Sequence, residues 1–265
     1  MLEGVSNMER SEWSASLYLK FEEERSKPAI DLANRLRKLS PLNIVDVGCG
    51  PGNSTAILHS FFPNAQLLGV DHSMSMIESA RNQHPHLSFN FCDAREISGE
   101  YDLIFANASL QWLPCHHTLI PFLMEKLSSN GVLAVQMPNN TNEPLYCVID
   151  KMIKNSKWGF KHTEIEINET LQPQEYIEIL MKCASQFEVW ESIYYQCMPS
   201  HQSLIEWVRA TKLRPYLNAL KDDYKLQFEN ELLEQIIPLY SPIKSPTQDY
   251  KILFGFKRLF FIATK

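Results

Sequence analysis

The chain has 265 residues, of which 45% are hydrophobic and 21% are charged, with a formal net charge of −6 at pH 7. Such a composition is typical of a globular protein. The length is sufficient for one large α/β domain or two small ones. The negative charge argues against a general nucleic-acid binder, because phosphate backbones call for a basic face. No apolar run approaches the roughly 18 residues of a membrane span, and residues 1–10 lack an apolar signal core, so we expect a cytoplasmic protein.

The predicted elements begin in a charged segment, residues 1–40, with a helix over Lys27–Leu39. From Asn43 to Pro138, short β-favouring apolar runs alternate with helical segments, which predicts a parallel sheet covered on both faces. Ligands of such sheets bind outside the carboxyl ends of the strands. The helices of this region are expected near Ser54–Phe62, Ser73–Gln83 and His116–Ser128.

After Pro138 the pattern changes, and we interpret the additional helices as a cap over the cleft, since no linker divides the chain. The prediction is a single domain in which an N-terminal cap segment (1–40) precedes a binding core (41–138) and a C-terminal half with cap helices and edge strands (139–265). Helices are expected over Pro144–Ile153, Gln174–Cys183, Leu204–Thr211 and Asn218–Ile237, and strands over Phe187–Met198 and Leu259–Ala263.

A strand, a tight turn and a helix meet in the stretch Val45–Asn53, where glycines alternate at 48, 50 and 52. Glycine permits positive φ and lets a ligand approach bare backbone, and the helix N-terminus offers free N–H groups, so we expect a polar ligand. A phosphate loop is excluded, because Asn53 and Ser54 stand where Lys-Ser/Thr is required. The dinucleotide fingerprint is weakened, because Asn53 replaces its third glycine.

An acidic residue, Asp71, closes the next apolar run, and an acid at this place can accept hydrogen bonds from both hydroxyls of a ribose. The six cysteines are scattered, without a C-x-x-C pair or a histidine at zinc spacing, so we expect reduced structural thiols and no metal site. Cys49 lies inside the glycine loop, where we expect a small side chain and not a nucleophile.

The stretch Asp46–Gly52 resembles motif I of the class I S-adenosylmethionine (SAM) methyltransferases, and three later segments fit that family in order: Phe89–Ala94, Tyr101–Ala108 and Leu127–Val135. The resemblance implies a Rossmann-like α/β fold with a seven-stranded, mostly parallel sheet, helices on both faces and a helical cap. It also implies SAM as cofactor and S-adenosylhomocysteine as product. In that family the acid after the third strand lies beside the adenine amino group, and the end of the fourth strand faces the methionine part. The cofactor-binding residues implied are Asp46, Gly48, Gly50, Gly52, Asp71, Asp93, Ala94 and Asn107.

Beyond these motifs, the chain resembles the trans-aconitate 2-methyltransferases. The segments that carry this resemblance span nearly the whole chain: Tyr18–Phe21, Glu24–Ala29, Ile104–Pro114, Gly131–Pro138, Tyr194–Gln202, Trp207–Pro215 and Arg258–Phe260. The chain departs from the family at Lys27, where we expect Arg, at Lys212, where we expect Gly, and at Asn139, where we expect Asp. Residues 160–171 match poorly.

The reaction that this resemblance implies is esterification of a carboxylate of a small polycarboxylic acid, with trans-aconitate as the leading substrate. A carboxylate is already an anion at neutral pH, so its methylation requires no general base, and no catalytic acid or base is expected. Arginine binds carboxylates through two parallel hydrogen bonds. The expected substrate-binding residues are Arg25 and Arg214 with Tyr18, Tyr194, Tyr195 and His201, and with Trp112 and Trp207, which either wall the pocket or pack the cap.

Three alternatives stay open at this point. The methyl acceptor is another small acid or an acyl group on a carrier protein, or the chain is a SAM-binding protein without catalysis, or, least favoured, it is a nicotinamide oxidoreductase. The expected partners are a small polycarboxylate, no nucleic acid and no membrane. A monomer or weak homodimer is expected.

Overall fold

The structure, a computed structural model, describes residues 22–160, 163, 165, 170–209, 211–244 and 249–265. Up to Pro138 strands and helices alternate, except that no helix separates the strands Ser88–Phe91 and Tyr101–Asn107. No helix in the described ranges has the length and apolarity to cross a membrane. The first half of the chain forms α1 (Glu22–Arg35), β1 (Asn43–Val47), α2 (Asn53–Phe61), β2 (Gln66–Asp71), α3 (Met74–Gln83), β3 (Ser88–Phe91), β4 (Tyr101–Asn107), α4 (His116–Glu125) and β5 (Leu127–Pro138).

The second half is richer in helices, as the change of pattern after Pro138 predicts. Short 3-10 turns at Leu110–Trp112, Ser156–Trp158 and Ile237–Leu239 supplement the regular elements. The helices and strands of the second half are α5 (Pro144–Ile153), α6 (Pro173–Cys183), β6 (Gln186–Met198), α7 (His201–Arg209), α8 (Arg214–Ala219), α9 (Asp222–Ile236), β7 (Pro242–Lys244) and β8 (Tyr250–Thr264).

All strands join one sheet in the order β3-β2-β1-β4-β5-β8-β6, and the short β7 pairs with β8 outside this path. The pairs from β3 to β5 are parallel, whereas β8 is antiparallel to both β5 and β6. The expected mostly parallel sheet of seven strands is confirmed, and β7 is an eighth strand that the sequence did not predict. The carboxyl ends of β1 to β5 therefore lie along a single edge.

Both faces of the sheet are covered, as buried parallel strands require. Because side chains alternate along a strand, Ala134 of β5 faces a cluster with Leu32 of α1 and Leu58 of α2. Its neighbour Val135 faces the other cluster, which includes Ile120 of α4 and residues of α6. The sheet is thus the middle layer between two helical layers.

The strands β6 and β8 are much longer than the sheet needs. They pair from Gln186↔Thr264 to Met198↔Ile252, whereas β5 reaches only as far as Arg258 on β8. The remaining part of this antiparallel strand pair projects beyond the carboxyl edge and carries a third cluster, the cap core, formed with α5, α7, α8 and α9. The prediction of a last strand over Leu259–Ala263 was therefore too short, because residues 250–257 bury only alternate side chains and do not form a continuous apolar run.

Two predicted helices have different bounds in the structure. The helix predicted over Lys27–Leu39 corresponds to α1, which is described from Glu22, ends at Arg35 and contains Pro28 in its interior. The helix predicted over Asn218–Ile237 is divided into α8 and α9, since the backbone at Leu220 is extended. Acidic residues at the start of α9 then favour a new helix N-terminus there.

Tyr240 connects the end of the helical cap to the start of α5. Its hydroxyl accepts a hydrogen bond from the Leu145 N–H and donates one to the Glu143 carboxylate, at 2.9 Å each. The Leu145 N–H belongs to the first turn of α5, where no residue of the helix itself can accept it.

We predict that Tyr240→Phe lowers the free energy of unfolding by about 1–3 kcal/mol, because it leaves a buried N–H without an acceptor. The measurement is urea unfolding followed by circular dichroism. Tyr250→Phe is the matched control, since Tyr250 is 58% exposed. Equal stability of the two variants would contradict the assigned role of the Tyr240 hydroxyl.

Candidate cofactor and substrate site

The glycine loop leaves β1 with three residues in the left-handed region: φ is 72° at Gly48, 55° at Gly50 and 96° at Gly52. A Cβ added to Gly48 would lie 2.2 Å from the Cβ of Ser109, whose hydroxyl donates to the Val47 carbonyl at 2.6 Å. A Cβ added to Gly50 would meet nothing within 4 Å. The protein itself thus requires glycine at 48, while the space at Gly50 is open to a ligand.

Asp46 is fully buried at the end of β1. Its Oδ2 accepts hydrogen bonds from the hydroxyls of Ser54 and Thr55, both at 2.6 Å, and so ties β1 to the first turn of α2. Burial raises the pKa of Asp46 to about 6, and the nearby charge of Asp71 adds to this rise, although the two hydroxyls oppose it. Asp46 therefore fixes the two ends of the glycine loop by connecting β1 to α2.

Asp71, at the end of β2, lies beside the loop. Its Oδ2 accepts the Gly50 N–H at 3.0 Å, and its Oδ1 accepts the Ser73 N–H at 2.9 Å. The side chain is 12% exposed. A carboxylate has about four acceptor positions, so each oxygen retains acceptor capacity for a hydroxyl. Cys49 is buried between these acids, and burial raises the pKa of its thiol, so the structural role expected for it fits its surroundings.

Asp93 follows β3 and forms a bidentate ion pair with Arg95. The guanidinium donates from Nε to Oδ1 at 2.8 Å and from Nη2 to Oδ2 at 2.6 Å. These hydrogen bonds hold the pKa of Asp93 down at about 2. Ala94 beside it is buried. The sequence did not predict Arg95, which orients the acid and keeps it ionised as an acceptor for an amino group.

The end of β4 carries an acceptor without a partner. The Oδ1 of Asn107 is buried and makes no hydrogen bond among the described residues. In the register of β4 and β5, Asn107 lies opposite Gln136, which is fully buried and whose Nε2 and Oε1 have no partner there either. Gln136 was not predicted as a site residue, although an amide inside the apolar run Gly131–Pro138 was a visible signal.

These groups fit a nucleoside cofactor with a charged amino-acid part. The carboxylate of Asp71 suits hydroxyl groups, the carboxylate of Asp93 suits an amino group, and the Asn107 Oδ1 suits an ammonium. The residues lie at the carboxyl ends of four neighbouring strands, which is where ligands of such sheets bind.

The two tyrosines that the sequence analysis grouped together lie on opposite faces of β6. The Tyr194 hydroxyl donates to Asp31 of α1 at 2.6 Å, whereas Tyr195 is 66% exposed on the other side. Successive side chains of a strand point in opposite directions. Tyr194 is therefore the one that faces α1, and the expectation that both tyrosines bind the substrate stays a prediction.

His201 and Trp207 belong to the helical cap. His201 is the first residue of α7, and its Nε2 donates to the Tyr240 carbonyl at 2.8 Å. Trp207 is 2% exposed and packs edge-to-face on Phe254 and Phe256, with ring centroids 6.2 and 5.1 Å away. The placement of Trp207 matches the second of the two alternatives that the sequence left open for it, packing of the cap.

Trp112 ends the 3-10 turn that follows β4, partly buried beside the Asn107 end of that strand. Arg214 is the first residue of α8 and is partly buried, and burial lowers its pKa. The Lys212 Nζ lies 3.1 Å from Asp150 Oδ1 of α5, so the charge that departs from the family pattern is balanced inside the cap.

Tyr18 lies outside the described residues, and Arg25 is described only by its backbone in α1. Two contacts orient that helix: Arg35 pairs with Glu188 near the start of β6, and Asp31 accepts from Tyr194 further along the strand. Since β6 runs in the same direction as β5, the N-terminal half of α1, with Arg25, extends toward the carboxyl edge of the sheet.

The sheet order, the glycine loop and the acids at the strand ends define a class I SAM-dependent methyltransferase. A family model described as a methyltransferase domain matches residues 44–131. The chain is 41% identical over 258 residues to the trans-aconitate 2-methyltransferase of Yersinia pestis (strain Pestoides F), a match that covers 95% of this chain and 98% of that protein. The chain belongs to the trans-aconitate 2-methyltransferase family.

Solved structures support the fold. The YcgJ protein from Bacillus subtilis superposes with a TM-score of 0.59 at 13% identity, covering 90% of this chain and 98% of that one. Phosphoethanolamine N-methyltransferase 2 of Haemonchus contortus, in complex with SAM, gives a TM-score of 0.52 at 15% identity, covering 89% of this chain and 52% of that one. At such identities the likeness concerns the fold alone.

The glycines allow a matched pair of variants. Gly50→Ala is expected to remain folded, with a loss of about 1–2 kcal/mol from its left-handed backbone, and to weaken SAM binding about tenfold or more, a loss of about 1.4 kcal/mol or more. Gly48→Ala is expected to unfold or to lose about 3 kcal/mol or more, because the new methyl group overlaps Ser109. Calorimetric SAM binding and urea unfolding measure the two effects. Unchanged SAM affinity in Gly50→Ala would contradict the assignment of the open space.

Asp46 predicts a pH dependence of stability. Its pKa of about 6 lies above the value of about 3.9 for an exposed aspartate, so the folded protein binds the proton more tightly. This tighter binding stabilises the folded protein below pH 4, and the stabilisation is lost as the pH rises to 6. The difference in pKa corresponds to about 3 kcal/mol in the free energy of unfolding.

Asp46→Asn removes this titration and keeps an oxygen acceptor for both hydroxyls. We predict that its free energy of unfolding, relative to the wild type, rises by about 3 kcal/mol between pH 4 and pH 6.5. Urea unfolding of both proteins at several pH values measures this difference. The contributions of the other titrating groups are common to both proteins and cancel. A difference that does not change with pH would contradict the raised pKa.

Proposed function

We propose that this chain transfers a methyl group from SAM to a carboxylate of a small polycarboxylic acid, with trans-aconitate as substrate and its monomethyl ester as product. The observation that carries this proposal is the similarity to a trans-aconitate 2-methyltransferase over almost the whole chain, including both the glycine loop and the cap. A match confined to the cofactor motifs would have supported methyl transfer without a substrate.

The cofactor roles assigned here follow from the contacts around the loop. Asp71 accepts the ribose hydroxyls, and Gly50 gives the cofactor room to approach the backbone. Asp93 accepts from the adenine amino group beside Ala94. Asn107 accepts from the ammonium of the methionine part. Asp46, together with Gly48 and Gly52, shapes the loop and does not contact the cofactor.

Bound SAM supplies an electrophilic methyl group on a sulfonium. The protein has no proton to move, because the acceptor carboxylate is ionised at neutral pH. Its task is to hold one carboxylate oxygen in line with the carbon–sulfur bond and to exclude water. Orientation of this kind contributes about 7–11 kcal/mol in favourable cases. The oxygen–methyl bond forms as the sulfur–methyl bond breaks, and S-adenosylhomocysteine leaves.

The other carboxylates of the acid need cations, since the chain carries a net charge of −6. We assign this role to Arg25 of α1 and Arg214 of α8, and we assign Tyr18 and Trp112 to the same acid-binding site. Tyr194, already bound to Asp31, fixes the position of α1 against the sheet. The proposed site of action is the cytoplasm, because all six cysteines are free thiols, as a reducing compartment keeps them.

The test is methyl transfer from labelled SAM to a panel of acceptors: trans-aconitate, cis-aconitate, isocitrate, citrate and malonyl-carrier protein. Saturable and preferential methylation of trans-aconitate supports the proposal. Preference for the carrier protein would assign a different acceptor. SAM binding without transfer to any acid would identify a non-catalytic SAM-binding protein.

Two variants are predicted to separate the cofactor side from the acid side. Asp71→Asn should raise the Kd for SAM about tenfold, because loss of a charged acceptor costs about 1.4 kcal/mol or more, with little change in the KM for the acid. Arg214→Gln should raise that KM at least tenfold and leave the SAM Kd unchanged, because it removes a charged carboxylate ligand. Calorimetry gives the Kd, and initial rates at saturating SAM give the KM. An unchanged KM in Arg214→Gln would contradict the assignment of Arg214.

A further inference from the structure

We propose that Gln136 of β5 and Arg258 of β8 bind the substrate carboxylate that lies next to the methionine end of the cofactor. This inference rests on the proposed function and adds to it two residues of the acid-binding site. The amide Nε2 and the guanidinium both donate, and a carboxylate accepts from both.

Gln136 is the primary observation. Its side chain is fully buried, and neither Nε2 nor Oε1 has a hydrogen-bond partner among the described residues. A buried amide without partners costs free energy, and native proteins satisfy the great majority of such groups. An apolar residue of similar shape would fill the same place in β5 without this cost. A ligand that accepts a hydrogen bond from Nε2 supplies one of the missing partners and accounts for glutamine at this position.

The sheet register brings Arg258 near this amide. Gln136 lies opposite Phe260, and Pro138 lies opposite Arg258, so Arg258 is two residues further along the neighbouring strand. Residues two apart point to the same face, and Asn107 faces the same way from β4. These three polar side chains therefore lie on the α1 face at the carboxyl edge of the sheet.

Arg258 also marks the boundary between the sheet and the cap. Its neighbour Phe260 belongs to the cluster under α1, whereas Phe256 belongs to the cap core. The guanidinium carbon lies 4.1 Å from the Phe256 ring centroid, and the side chain is 5% exposed. A cation fixed against an aromatic face at this junction is screened from water, so its interaction with an anion is stronger than at the surface.

The acceptor and donor atoms of Asn107, Gln136 and Arg258 indicate which ligand each residue binds. The Asn107 Oδ1 is an acceptor and suits the ammonium of the cofactor, whereas Gln136 directly opposite and Arg258 offer donors to the acid. The carboxylate held by them lies beside the methionine part, where the methyl group is transferred. Gln136 and Arg258 would thus position an acid group at the reacting end of the cofactor.

The experiment uses Gln136→Met, which keeps the shape of the side chain and removes its polar atoms. Without ligands, its urea midpoint should equal or exceed that of the wild type, because an unpartnered amide has been removed. With saturating SAM, the KM for trans-aconitate should rise at least tenfold, while the SAM Kd stays within twofold. The increase in melting temperature that trans-aconitate gives the wild type should be lost.

Gln136→Glu is the second variant, because its carboxylate competes for Arg258 and repels the acid, and the same rise in KM is expected. Gln186→Met, at the exposed start of β6, is the control and should behave as the wild type. A Gln136→Met protein with a lower urea midpoint and an unchanged KM would overturn the inference, since the amide would then serve the fold. If the wild type neither methylates any acid of the panel nor is stabilised by one, the proposed function fails. If the wild type methylates trans-aconitate and the Gln136 variants do so with an unchanged KM, the inference alone fails.

Discussion

The burial of Asp46 is the constraint on which the site depends. A carboxylate inside a sheet is unfavourable, and it is retained here because Ser54 and Thr55 both donate to it from the first turn of α2. These two hydrogen bonds fix the distance between the end of β1 and the start of the helix. The loop must then cross a short gap, and it does so with three left-handed glycines. The open space at Gly50 follows from that crossing.

The second determinant is the length of the antiparallel strand pair formed by β6 and β8. Because it extends past β5, it supports a cap core at the end of the sheet where the cofactor loop lies. Substrate groups from the cap and cofactor groups from the sheet can then face one cleft. Arg258 occupies the position where the strand passes from one core to the other, and its guanidinium lies against Phe256 of the cap core.

Much of this architecture was predictable because its signals are local. The glycine loop and the acid at Asp71 each follow an apolar run directly, so their position at strand ends could be inferred from the sequence alone. The length of β8 could not, since its first residues bury only one face and lack a continuous apolar signal. Tyr194 and Tyr195 lie on opposite faces of β6, because adjacent residues in a strand point apart, and their grouping in the sequence does not show which of them faces α1. His201 and Trp207 depend on partners in distant segments, Tyr240 and Phe256, which no spacing rule indicates.

Polar groups that the fold leaves unsatisfied distinguish the reactive end of the cleft from the rest of the core. Among the described residues, the Asn107 Oδ1 and both polar side-chain atoms of Gln136 have no hydrogen-bond partner, whereas Asp71 and Asp93 are held by the protein. In the proposed site, the held acids are oriented before the cofactor binds, so they lose little freedom on binding. On the same proposal, the unsatisfied amide atoms favour the state in which both ligands are bound, because each ligand supplies hydrogen bonds that the protein alone lacks. An arrangement of this kind makes binding of the two ligands at the reacting end more favourable than binding elsewhere in the cleft.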